Sequence, residues 1–188
     1  MSALPPFDYV RPESLISALA ALNEPGARVL AGGTDLLRAL RSRHPSTPAI
    51  SALVDVKELT EARGIRVEGG GLRIGALETA RSLASDREVE RHATALREAA
   101  RTSSAPALRG RATVGGNLLT PHPAGDMATG LLALGARTEW ASASGERVFE
   151  TVEAVLGAAP PSRRDPDLRL LLAVWIPLGS VSAFEKLG

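Results

Sequence analysis

Apolar and polar positions follow two periods along this chain, and the change of period divides it. In residues 14–23 the apolar side chains Leu15, Ile16, Leu19, Ala20 and Leu22 recur at helical spacing, and Pro25-Gly26 stops the run. Residues 28–31 read as a short strand, Ala31-Gly32-Gly33-Thr34-Asp35 as a turn, and residues 35–42, with Leu36, Leu37 and Leu40, as a second helix. A loop at residues 44–48 leads to a strand at 52–56, giving a small βαβ-like lobe over residues 1–56. The period then shortens to two. Residues 64–68 and 72–76 alternate around Gly69-Gly70-Gly71 as a hairpin, and residues 137–141 and 146–149 do so around Ser144-Gly145. Between and after them, residues 79–85, 86–102, 126–134 and 152–158 carry helical patterns; Val89, Ala93, Leu96 and Ala100 form the apolar face of the second. An exposed loop at 160–167 precedes an apolar strand at 168–176. Residues 57–178 thus form a second lobe of antiparallel sheet and helices, and residues 179–188 open a further element. The fold class expected is α+β in two lobes.

The length, 188 residues, suffices for a substantial core. Lys and Arg number 22 against 21 Asp and Glu, so no broad positive field is available to hold a nucleic acid or an anionic membrane. Cysteine is absent, which removes disulfides, thiolate zinc sites and iron–sulfur clusters ligated by this chain. No apolar run approaches the roughly 20 residues that span a bilayer, and no basic segment followed by an apolar stretch opens the chain. These features predict a cytoplasmic protein without membrane insertion.

The chemistry concentrates in two glycine-rich turns, Ala31-Gly32-Gly33-Thr34-Asp35 and Thr113-Val114-Gly115-Gly116-Asn117, the second followed by Pro123-Ala124-Gly125-Asp126. Glycine lets the backbone approach a ligand closely, so N–H groups from both turns can close around one pyrophosphate. In the first turn Gly32, Gly33 and Thr34 would face the anion while Asp35 or Thr34 caps the helix. Taken singly, each is also an ordinary strand-to-helix turn or a bulge. Gly69-Gly70-Gly71-Leu72-Arg73-Ile74-Gly75 is not a Rossmann fingerprint: Ile74 occupies the third glycine position, and the segment lies in a hairpin. His44, His92 and His122 show neither metal-cluster nor triad spacing, and no acid/base constellation emerges.

Phe7-Asp8-Tyr9 with Pro12 and Ser14-Leu15, the first glycine turn with Leu36, Ile74-Gly75-Ala76, Leu108-Arg109-Gly110-Arg111-Ala112 running into the second turn, and the Pro-Ala-Gly-Asp segment together resemble the FAD-binding medium subunit of the molybdenum hydroxylases, the carbon monoxide dehydrogenase and xanthine dehydrogenase type. The resemblance implies a two-lobed FAD-binding domain of the molybdopterin dehydrogenase type. It implies that FAD, held noncovalently, contacts Val29, Leu30, Ala31, Gly32, Gly33, Thr34, Asp35 and Leu36 in the first loop, and Thr113, Gly115, Gly116 and Asn117 in the second. Asp126 falls on the family's cofactor-contacting aspartate, Ser103 on a position along the cofactor, and Leu171 on the strand near the flavin ring. Partners would be a molybdenum-containing large subunit carrying molybdopterin and an iron–sulfur small subunit, and the protein would pass electrons from the clusters to a terminal acceptor.

Two departures accompany the resemblance. Thr120-Pro121-His122-Pro123 replaces the small polar residue that usually precedes the Pro-Ala-Gly-Asp segment, and the chain stops where a C-terminal domain would begin, as expected of a fragment or split subunit. Two other readings stay open at this stage: a truncated interaction module that binds no flavin, and a stand-alone flavin oxidoreductase.

Overall fold

Ser14 opens the first helix because its hydroxyl and that of Ser17 each accept the other's backbone N–H, a reciprocal cap. The structure, a computed structural model, describes residues 6–42, 50–120, 125–158, 168–179 and 181–186. His44, His122, Pro123-Ala124, the loop at 160–167 and residues 187–188 lie outside them. The N-terminal part runs β1 (Asp8–Val10), α1 (Leu15–Leu22), β2 (Ala27–Leu30), α2 (Leu36–Ser42) and β3 (Ala52–Asp55), and its three strands form a parallel sheet in the order β1-β3-β2. The alternation did not disclose β1, a three-residue strand held by pairing Asp8, Tyr9 and Val10 with Ala52, Leu53 and Val54.

The second part runs β4 (Ile65–Glu68), β5 (Gly71–Gly75), α3 (Ala80–Ser85), α4 (Arg87–His92), α5 (Thr94–Thr102), α6 (Val114–Leu119), α7 (Asp126–Ala133), β6 (Arg137–Ser142), β7 (Arg147–Thr151), α8 (Val152–Gly157) and β8 (Arg169–Pro177). Its five strands form an antiparallel sheet in the order β4-β5-β8-β6-β7. Gly69 and Gly70, at φ 55° and 77°, make the two-residue turn between β4 and β5, which confirms the hairpin. The helix expected over 86–102 is two helices. The break falls at Ala93 (φ −144°, ψ 52°), which is fully buried, so packing rather than a breaker residue turns the chain.

Two hydrophobic clusters fill the molecule. One joins a sheet face, through Leu72, Ile74, Leu171, Val174 and Ile176, to the helical layer of Leu83, Leu96, Val114, Met127 and Leu131. The other gathers Leu15, Leu19, Leu22 and Val54 of the parallel part together with Leu77, Ala141, Leu170 and Leu172 of the antiparallel part. A continuous core therefore crosses the boundary drawn near residue 56. Leu171 and Val174 are three positions apart yet face the same cluster, which the register shift opposite Glu139/Trp140 permits by adding one residue to β8.

Candidate functional site

The first glycine segment begins where the parallel sheet ends. The Leu30 carbonyl accepts the Val56 N–H at 3.2 Å, and Gly33, at φ +72°, then turns the chain into α2. Nearby, Asp55 is 2 % exposed and accepts from Lys57 Nζ at 2.6 Å, from the Lys57 N–H at 3.0 Å and from the Tyr9 hydroxyl. Burial pushes the Asp55 pKa up, but the hydrogen bonds from Lys57 and Tyr9 outweigh it and hold the carboxyl below its ordinary range. This cluster fixes the end of β3, against which the glycine segment starts.

Among the described residues the backbone N–H groups of Gly32, Gly33, Thr34 and Asp35 have no hydrogen-bond partner. Asp35 does not cap α2, contrary to expectation. Its carboxylate accepts from Arg38 at 2.8 Å and from the Thr34 hydroxyl at 3.3 Å, and no backbone N–H among the described residues donates to it. A charge that would repel an anion is thereby answered by a guanidinium of the next helical turn.

The second glycine segment is built differently from the expected turn. Thr113 is the N-cap of α6, and Gly115, Gly116 and Asn117 lie inside that helix. From Val114 onward its N–H groups are spent: Val114 on Glu78 O at 2.8 Å, Gly115 on Ala76 O at 3.0 Å, Asn117 on Thr113 O at 2.9 Å, and Gly116 on Thr113 Oγ1 at 3.1 Å. Glycine is needed at 115 for space, because a Cβ there would stand 2.9 Å from both the Cβ and the carbonyl oxygen of Ala76 and 3.3 Å from Leu171 Cδ2. Gly115 thus packs α6 against Ala76 and Leu171, and the backbone N–H groups without a partner lie in the first segment.

The remaining expected residues surround these. Asn117 Oδ1 accepts the Ala128 N–H at 3.0 Å and ties α6 to α7. Asp126, the first residue of α7, pairs with Lys186 at 2.8 Å. Ser103 and Leu171 are buried, and the carbonyl of Ser103 accepts from Arg109 at 3.1 Å. Val29 is exposed, Leu30 is buried, and Ala31 and Leu36 are half-buried.

What brings the two segments together is Gly32. An added Cβ would lie 1.9 Å from the Arg111 carbonyl oxygen, and Arg111 Nε in turn donates to the Gly32 carbonyl at 3.3 Å. Beside this contact opens a pocket of about 310 Å³ lined by Gly33, Thr34, Leu37, Arg38, Arg41, Leu108 and Arg111. Its arginines escaped the sequence reading; the available signal was Arg38 and Arg41 at one-turn spacing after the glycines. Among the described residues neither Arg41 nor Arg111 has a carboxylate partner.

A second cavity, of about 260 Å³, lies on the sheet face between Arg66, Arg73, Glu139, Arg147, Phe149 and Trp175. Its buried charges are answered within the protein. Glu139 Oε2 accepts from Arg73 Nε at 3.0 Å and Trp175 Nε1 at 2.8 Å, and Arg73 also donates to Glu61 O at 2.7 Å. No group of three or more metal-ligating side chains occurs among the described residues, and no helix among them is long and apolar enough to cross a membrane.

An anionic dinucleotide fits the first pocket on two counts: free N–H groups and guanidiniums without a carboxylate partner among the described residues. Comparison with known proteins points the same way. Residues 5–179 match the family described as FAD binding domain in molybdopterin dehydrogenase. The chain is 32 % identical to the carbon monoxide dehydrogenase medium chain of Afipia carboxidovorans over 184 residues, 96 % of this chain and 63 % of that one. It is 38 % identical over 141 residues, 74 % of this chain and 47 % of the relative, to the xanthine dehydrogenase FAD-binding subunit of Escherichia coli O157:H7. Among solved structures, carbon monoxide dehydrogenase from Hydrogenophaga pseudoflava superposes with a TM-score of 0.88 at 28 % identity, covering 100 % of this chain and 65 % of that one. Quinoline 2-oxidoreductase from Pseudomonas putida 86 gives 0.85 at 28 % identity, over 95 % and 61 %. The chain thus spans less than two thirds of the length of these relatives.

Proposed function

The chain belongs to the family of FAD-binding domains of the molybdopterin dehydrogenases, and from that premise we propose that it is the flavin-holding part of an oxidoreductase medium subunit. Electrons reach it from iron–sulfur clusters on a small partner subunit, supplied by a molybdenum-containing large subunit, and leave to a terminal acceptor. The cysteine-free sequence agrees with that division, because no thiolate of this chain can ligate a cluster. The complex works in the cytoplasm.

One observation carries the reading: segments far apart in sequence converge at Gly32 and Arg111 beside a pocket onto which Gly33 and Thr34 open. In this reading residues 29–36 hold the FAD diphosphate, with the free N–H groups of Gly32, Gly33, Thr34 and Asp35 turned to it. Thr113, Gly115, Gly116 and Asn117 shape the wall that the cofactor follows, Asp126 contacts it, and Ser103 and Leu171 flank its ends. When bound, the isoalloxazine ring supplies the redox chemistry, and the chain's contribution is to bind, orient and shield it.

The test is a flavin assay on the purified chain: visible absorbance, identification of the cofactor released on denaturation, and titration with FAD if none co-purifies. FAD bound at low micromolar affinity or tighter, and released intact by denaturant, is the expected result. A folded chain that takes up no added FAD overturns the proposal.

A further inference from the structure

Every N–H from Val114 to Asn117 is already engaged, so that stretch offers a diphosphate no backbone donor. Charge in the pocket makes up the difference. Of its three guanidiniums, Arg38 is answered by Asp35 at 2.8 Å, whereas Arg41 and Arg111 have no carboxylate among the described residues. Two unanswered positive charges face a pocket otherwise lined by glycine, threonine and leucine.

Arg111 is the better placed of the two. Its carbonyl abuts Gly32, and its Nε donates to the Gly32 carbonyl at 3.3 Å, which sets the guanidinium beside the free N–H groups. Its terminal nitrogens have no partner among the described residues. A guanidinium offers paired parallel donors that match two oxygens of one phosphate, and its charge is retained at any working pH.

We propose that Arg111 is a cofactor-binding residue that grips the diphosphate of the dinucleotide beside the glycine loop, with Arg41 balancing the second negative charge. The inference rests on the FAD reading for the identity of the dinucleotide. The preference for an anion comes from the pocket's own donors and guanidiniums.

The experiment uses the full chain and two neutral variants. Arg111→Met keeps the stem, and Arg111→Gln keeps a donor able to reach Gly32. Each is titrated with FAD at low and high salt, and with inorganic pyrophosphate as competitor, beside a denaturation midpoint that reports the fold. Both variants are expected to weaken FAD binding about 10- to 100-fold, the worth of hydrogen bonds to a charged group. Both are also expected to flatten its salt dependence and to lose competition by pyrophosphate. A purely structural role would lower the midpoint and leave the salt dependence in place, and that result overturns the proposal. So does FAD binding by the variants equal to the parent's, which leaves the flavin reading standing. If the parent binds no FAD but is stabilised by pyrophosphate, and the variants are not, the anion grip stands and the flavin reading falls. If neither ligand binds the parent, both fall.

Discussion

Gly32→Ala probes the contact on which the site depends. The new methyl would sit 1.9 Å from the Arg111 carbonyl oxygen, whereas ordinary contact begins at 3.4 Å, so one segment must retreat by about 1.5 Å. The Arg111 side has little freedom to move. Its N–H is bonded to Leu108 O at 2.8 Å, and the next carbonyl, of Ala112, accepts the Ala80 N–H at 2.9 Å. The strain therefore falls on the glycine loop. Overpacking of this kind costs about 1–3 kcal/mol, and at about 2–4 °C per kcal/mol for a chain of this size the melting temperature should drop by about 2–12 °C. FAD affinity should fall by about tenfold or more, because the displaced loop carries the free N–H groups. Gly33→Ala is the control. There the cost is the left-handed backbone at φ +72°, about 1–2 kcal/mol, and the nearest atoms are flexible ends of Leu30 and Leu37. Thermal melts and FAD titrations of both variants decide the matter. If Gly32→Ala melts with the parent and binds FAD equally well, the two segments are not in contact and the site argument is wrong.

Two further outcomes are expected. Asp55 has its pKa lowered on folding, so its stabilisation is full above the ordinary carboxylate range, near pH 4, and drains away as pH falls through the folded value. The gap in urea midpoint between the parent and Asp55→Asn should accordingly shrink from about pH 6 to pH 3; a gap independent of pH would contradict this. Glu139→Leu removes the nearer carboxylate of Arg73, whose side chain is 5 % exposed and keeps only Glu68 at 3.9 Å, and should cost about 3 kcal/mol in denaturant titrations. The pair Arg73→Leu with Glu139→Leu should regain much of that loss, and a double variant no more stable than the single would show that the pair is not the cause.

The elements legible in the sequence were those whose period matches their burial. The helices α1, α2, α7 and α8, both hairpins and β8 lie within a residue or two of their apolar patterns. The break at Ala93 was hidden because Val89, Ala93, Leu96 and Ala100 remain buried on both sides of it, so the pattern persists through the change of direction. Strand β1 was hidden because it is mostly exposed and is held by backbone pairing. In the site, the close approach at Gly32 is to the carbonyl of Arg111, 79 positions away, a neighbour that the turn itself does not announce. At the second glycine segment, a glycine required for positive φ and a glycine required for space look alike in sequence. Gly115 is the latter, and its neighbour Ala76 lies 39 positions earlier. Arg111 and the Arg73–Glu139 pair depend on long-range neighbours that no local pattern records.

The extra residue in β8 also bears on how the chain is made. It turns Leu170 and Leu172 toward one core and Leu171, Val174 and Ile176 toward the other, and β8 itself pairs with both β5 and β6 at the centre of the sheet. Neither core can close until residues 169–177 have left the ribosome. The parallel sheet, although finished in sequence by residue 55, must wait for them with its apolar face uncovered. Long-range pairing of this order slows folding, so the apolar face of the early strands stays uncovered until β8 has paired.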